Sequence, residues 1–147
     1  MLEDVRIRGL GVIDDAVLAL GPGLTVVSGE TGAGKTMVVT GMLLLFGGRG
    51  DAARVRSGVH QAVVDGRLEL DGDSAVVDRV RDAGGELDDG TGLTLRRTVT
   101  VAGRSRAYVG GAPAPVSVLG ELAERLLAVH GQADQMRLTR PAEQRAM

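Results

Sequence analysis

Cysteine is absent from the 147 residues, which excludes disulfides and thiolate metal sites and agrees with a reducing cytoplasm. Tryptophan is absent too, and Phe46 and Tyr108 are the only aromatic residues, so a core must be assembled from valine, leucine, isoleucine and alanine. No long hydrophobic run occurs. The longest, Met37 to Phe46, is interrupted by Thr40 and Gly41 and is too short to span a bilayer. The opening Met1-Leu2-Glu3-Asp4 is acidic and lacks a signal-peptide pattern. These absences predict a soluble cytoplasmic protein with no membrane partner. The hydrophobic content of 44% is ample for one domain with a real core.

Lysine is nearly absent as well. Of 17 basic residues only Lys35 is lysine, and it lies inside Gly29-Glu30-Thr31-Gly32-Ala33-Gly34-Lys35-Thr36. This octapeptide meets the phosphate-binding pattern G-x-x-x-x-G-K-[ST] at every fixed position. A compact ammonium on a flexible stem fits between phosphate oxygens in a tight loop, where a planar guanidinium is too broad. The bias that made every other basic residue arginine stops at the one position where phosphate chemistry needs lysine. That placement is support for the motif independent of the pattern match.

The surroundings suit the motif. Val5 to Arg8 and Ile13 to Leu20 read as strands, a Gly21-Pro22-Gly23 turn follows, and Leu24 to Ser28 reads as a buried strand. The glycine loop comes directly after it. Lys35 to Phe46 is nearly apolar all round, as expected of a helix packed inside a sheet. Strand, glycine loop and helix form the context in which backbone N–H groups and the positive helix end meet phosphate. In this reading Gly29, Glu30, Thr31, Gly32, Ala33, Gly34, Lys35 and Thr36 cradle a nucleotide. Lys35 reaches the β- and γ-phosphates, and the Thr36 hydroxyl ligates Mg²⁺.

Further along, Ala62 to Leu70 alternates like an antiparallel strand, and Ser74 to Ala83 reads as a short helix capped by Ser74. Gly84 to Gly92 is a loop. Leu93 to Val101 and Arg106 to Val109 are set to pair across Ala102-Gly103. Pro115 introduces a helix through Leu126, Leu127 to Val129 reads as a strand ending at His130-Gly131-Gln132, and Thr139 caps the start of another helix. The net charge of −2 conceals an asymmetry: residues 51–90 carry ten acidic groups against five basic, whereas residues 91–110 carry Arg96, Arg97, Arg104 and Arg106 and no acid. Such arginines either meet DNA phosphates or form a solvated face.

A second acidic element is missing. Nucleotide hydrolysis ordinarily needs an apolar strand ending in Asp. The candidates Ala62-Val63-Val64-Asp65 and Ala75-Val76-Val77-Asp78 alternate and are followed by Gly66 and Arg79, so both are rejected. No LSGGQ-like signature occurs.

Four segments carry a resemblance to a known family. Arg6-Ile7-Arg8-Gly9-Leu10-Gly11-Val12-Ile13, the Gly29–Thr36 loop and Gly103-Arg104-Ser105-Arg106-Ala107-Tyr108-Val109 resemble RecN, and His130-Gly131-Gln132-Ala133-Asp134-Gln135 is similar to its His-Gly-Gln segment. RecN is a bacterial ATPase of DNA double-strand-break repair related to the structural-maintenance-of-chromosomes (SMC) proteins. The resemblance implies an α/β fold: a P-loop NTPase forming the N-terminal half of an ABC/SMC-type ATPase head, with an antiparallel β portion. Residues 1–147 are then one part-head lying ahead of a coiled coil, completed by the chain's own C-terminal head half. The implied cofactors are ATP and Mg²⁺. The implied partners are DNA, through the full-length protein, and a second copy through head engagement, in a nucleoid-associated setting. Gln132 matches the Q-loop glutamine, which contacts Mg²⁺ and the attacking water, with Gln135 the near alternative. Arg56 resembles an arginine that SMC-type heads place near nucleotide or DNA. Ala133 stands where many relatives have histidine. The bare loop is also compatible with a transporter ATPase subunit, a small-molecule kinase or a non-catalytic nucleotide-binding module.

Overall fold

Alternation of apolar and polar residues along Gln61–Glu69 and Gly92–Thr100 puts one side of each segment in the core and the other at the surface. The computed structural model describes residues 2–19, 32–70 and 74–127. In chain order it contains β1 (Leu2–Leu10), β2 (Ile13–Ala19), α1 (Gly32–Leu45), a short 3₁₀ turn (Ala52–Arg54), β3 (Gln61–Glu69), α2 (Ser74–Asp82), β4 (Gly92–Thr100), β5 (Ser105–Val109), β6 (Ala112–Ala114) and α3 (Val116–Leu127). The strands form one antiparallel sheet in the order β2-β1-β3-β4-β5-β6. The expected strand at Leu24–Ser28, the segment ending at Gln132 and the helix from Thr139 lie outside the described residues.

One face of the sheet carries the core. Val5 and Ile7 of β1, Val64 and Leu68 of β3, Leu93 and Leu95 of β4 and Val109 of β5 are buried together with Leu45, Val76, Val80, Leu119 and Leu122 from the helices. Each such side chain contributes about 1.5–3 kcal/mol when fully buried. With almost no aromatics to fill space, the layers close up at glycines instead. A Cβ at Gly41 of α1 would stand 2.7 Å from Ile7 Cδ1, and one at Gly66 of β3 would collide with Leu45 Cδ2.

The opposite face is polar and laced with ion pairs. Arg6 donates to both Asp15 oxygens, at 3.0 and 2.7 Å, and this hydrogen bonding holds the Asp15 carboxyl below the usual carboxylate range. Asp65 accepts from Arg8 at 3.1 Å and from Arg96. Its place on an antiparallel strand between two arginines agrees with its rejection as a hydrolytic aspartate. Asp78, the other rejected candidate, is exposed on α2.

α1 ends in a Schellman turn. Gly47 adopts φ +93°, its N–H donates to Leu44 O at 3.1 Å, and Gly48 N–H donates to Leu43 O at 2.7 Å. The turn abuts α3, where a Cβ on Gly47 would lie 2.7 Å from Gly120 N. Gly47→Ala therefore meets both left-handed strain and backbone overlap, whereas Gly58 at φ +90° has open space around it. Denaturant unfolding should show Gly47→Ala costing about 3 kcal/mol and Gly58→Ala about 1 kcal/mol. Equal losses would contradict the close approach of α1 and α3.

Candidate nucleotide-binding site

An α-helix presents unpaired N–H groups and a partial positive charge over its first turn. In α1 that turn begins at Gly32, inside the glycine-rich octapeptide, and no acidic residue of the turn opposes an anion. Gly29, Glu30 and Thr31 lie outside the described residues. The backbone of residues 32–35 forms the opening of the helix. Thr36 follows on an exposed position, and its carbonyl accepts from the Thr40 hydroxyl at 2.9 Å. The helix therefore starts in the register the motif requires, with lysine and threonine at its fourth and fifth positions.

The β1–β2 turn gathers beside this helix. Gly11, at φ +55°, lies so close to Met37 that a Cβ would collide with the Met37 sulfur. The segment after the 3₁₀ turn is bonded to the same hairpin: Arg56 N–H donates to Gly9 O at 2.8 Å, Gly11 N–H to Arg54 O at 2.7 Å, and Arg56 Nη1 to Gly11 O at 3.2 Å. Arg56 is thus half-buried against a turn that touches the second turn of α1. Gln132, Gln135 and His130 lie outside the described residues.

The arginines at 96–106 do not act as one patch. Arg96 pairs with Asp65. Arg97 is only 2% exposed, and burial pushes its guanidinium below the usual arginine range. It donates to Leu44 O at 2.9 Å, Gly48 O at 2.7 Å and Ser105 Oγ at 2.8 Å, so it holds the end of α1 and does not face solvent. Arg104 and Arg106 are exposed on the β4–β5 hairpin, and among the described residues no carboxylate pairs with them.

On the side of α1 away from the sheet, Val39 and Leu43 are 57% and 45% exposed, one turn apart. A groove of about 280 Å³ borders Leu43 where α1 meets the sheet, lined also by Leu10, Thr40, Leu44, Gly48, Arg54 and Val99. The expectation of a helix packed inside a sheet is met on one side, and among the described residues nothing covers the other.

A helix opening on a G-x-x-x-x-G-K-T loop and packed on an antiparallel sheet defines a class of nucleotide-binding domain. The chain belongs to the AAA domain family, whose model matches residues 4–113. Within that class it is similar to proteins named DNA repair protein RecN. Identity is 60% with the one from Streptomyces coelicolor over 141 residues, covering 96% of this chain and 24% of the relative. It is 47% with the Mycobacterium tuberculosis protein, covering 99% and 26%, and 35% with that of Vibrio cholerae, covering 100% and 26%. The chain therefore spans about a quarter of the length of these relatives. The resemblance read from the Arg6–Ile13 opening, the loop, the Gly103–Val109 segment and the His-Gly-Gln segment is borne out.

The fold is shared with SMC-type ATPases. A structure described as showing ATP-driven dimerisation and DNA-stimulated activation of SMC ATPases aligns with a TM-score of 0.67 at 18% identity, covering 99% of this chain and 95% of that one. The SMC head domain from Thermotoga maritima aligns at 0.60 and 15% identity, covering 82% and 41%. The recombination mediator RecF aligns at 0.61 and 14% identity, covering 81% and 29%. The expected P-loop NTPase fold with an antiparallel β portion stands.

Proposed function

We propose that this chain is the ATP-binding part of a RecN-like ATPase acting in recombinational repair of DNA double-strand breaks. The observation that carries this reading is the onset of α1 at the glycine-rich loop, in a fold shared with SMC-type heads. The first-turn N–H groups of α1 fit an anion, and no acid in that turn opposes one. In this reading Gly29 to Thr36 wrap the phosphates, Lys35 balances their charge, the Thr36 hydroxyl holds Mg²⁺, and Gln132 orients water and contacts the metal. Bound Mg²⁺ supplies charge neutralisation at the phosphates. Arg56, fixed against the β1–β2 turn, is suitably near for a supporting role.

The uncovered Val39–Leu43 side of α1 and its groove suit burial by the chain's own C-terminal head half. Exposed apolar side chains one turn apart on a central helix favour a covering partner. A second copy, engaged through the completed heads, and DNA are the remaining partners, and the setting is the cytoplasmic nucleoid.

Lys35→Ala should abolish ATP binding or weaken it by about ten- to a hundredfold, the worth of a charge-assisted contact. Lys35→Arg should also be impaired despite its charge. Titration with a fluorescent ATP analogue measures both, and wild-type affinity in the arginine variant would remove the argument from the lone lysine.

Residues 1–147 by themselves should show no ATP turnover above background, because an acidic metal-organising strand and a signature loop are needed to stabilise phosphoryl transfer. Supplying the C-terminal half of the relative in trans should restore hydrolysis. Robust turnover by the isolated chain, lost in Lys35→Ala, would identify a self-sufficient NTPase instead.

Of the basic hairpin, only Arg104 and Arg106 are free to meet phosphates. Replacing both with alanine in the full-length protein should weaken duplex binding and flatten its dependence on salt by about two contacts' worth. An unchanged salt slope would return these residues to the solvated surface.

A further inference from the structure

Arg97 is a buried cation with no carboxylate partner among the described residues, which demands an explanation. It occupies a core-facing position of β4, in line with Leu93, Leu95 and Val99, where an apolar residue would be the ordinary choice. Its partners are main-chain oxygens at the end of α1. One nitrogen, Nη1, reaches Leu44 O at 2.9 Å inside the last turn and Gly48 O at 2.7 Å just past it. Those two carbonyls bracket Gly47, the left-handed residue that ends the helix. Nε meanwhile donates to Ser105 Oγ at 2.8 Å on β5. The chain at Gly50 passes over the same guanidinium, where a Cβ would lie 3.4 Å from Nη2.

The counter-charge is thus the helix itself. The last carbonyls of an α-helix carry about half a negative charge, and a desolvated guanidinium held against them is favoured far more than an exposed one. A planar donor set bridging helix end and strand fixes both the axial setting and the rotation of α1. A helix is stiff along its axis, so a shift at one end appears at the other. The other end of α1 is the phosphate loop, 14 residues away.

We propose that Arg97 is a positioning residue for the nucleotide loop, setting the place of the α1 N-terminus by clamping its C-terminus to β4 and β5. The inference rests on the nucleotide-binding reading above. Arg97 touches no nucleotide; it acts through the helix.

The test uses the full-length protein, a fluorescent ATP analogue as probe, and thermal melting beside each titration. Val76→Ala serves as the matched control, since Val76 is buried on α2, which packs against α3. Arg97→Met should lower affinity about tenfold at a temperature where the protein remains folded. Val76→Ala, with a comparable loss of Tm, should stay within about twofold of wild type. Arg97→Lys should recover part of the affinity, because an ammonium can donate to Leu44 O and Gly48 O without reaching Ser105. If Arg97→Met does not fold, Arg97→Lys alone decides, with reduced affinity at near wild-type Tm supporting the clamp and unchanged affinity overturning it. Arg97→Met that merely tracks Val76→Ala overturns positioning while leaving nucleotide binding intact, provided Lys35→Ala still abolishes the signal. A wild type that does not bind the analogue overturns both.

Discussion

Gly41 of α1 rests against Ile7 of β1, and Leu45, one turn further on, rests against Gly66 of β3. At each contact one partner lacks a side chain, so the helix lies lower on the sheet than two ordinary faces would allow. The approach removes Ile7, Leu10, Leu44 and Leu45 from water together, and it leaves no room for the helix to slide. The position of the α1 N-terminus follows from this seat, because roughly 21 Å of helix separates it from the Schellman turn. Gly47 against Gly120 then stops the far end, and Arg97 fastens it.

Charge on the molecule is arranged around that seat. The outer face of the sheet joins Arg6 to Asp15, and Asp65 to Arg8 and Arg96, in exposed or half-exposed pairs. Pairs of this kind contribute little stability, yet they neutralise a basic surface locally, while among the described residues no carboxylate pairs with Arg104 or Arg106 at its β4–β5 end. The Arg79–Glu121 pair, at 2.6 Å, joins α2 to α3 in the same exposed manner, and its hydrogen bond holds the Glu121 carboxyl below the usual range. Arg97 differs in kind from all of these. Its partners are two main-chain carbonyls and the Ser105 hydroxyl, met by a guanidinium that is itself buried, where the loss of a partner is costly.

Much of this was legible from local pattern. Alternation marked β3, the Ala102-Gly103 turn marked the β4–β5 hairpin, Ser74 and Pro115 marked α2 and α3, and the loop marked where α1 begins. Asp65 was set aside because alternation does not suit a wholly buried strand, and it lies on an antiparallel strand paired with Arg8 and Arg96. Arg97 was not separated from its neighbours, since a charge count treats adjacent arginines alike. The signal was present in the period of two: Leu93, Leu95, Arg97 and Val99 share one face, and three of the four are apolar. What α1 does with its second face was not legible either, because an apolar helix reads the same whether one layer or two will cover it.

That second face bears on how the proposed part-head would work. Thr36, Val39, Thr40 and Leu43 follow one another at helical spacing along the more exposed side of α1. The residue read as a metal ligand and the exposed apolar residues therefore share one stripe. A segment covering Val39 and Leu43 would run along the helix toward Thr36, so burial of the stripe and delivery of further groups to the phosphates would be one event. Hydrophobic closure of about two aliphatic side chains supplies a few kcal/mol toward assembling the site. In a site built this way, the sheet and the Arg97 clamp would fix the proposed phosphate-binding end beforehand, and a covering segment would bring what the clamp cannot.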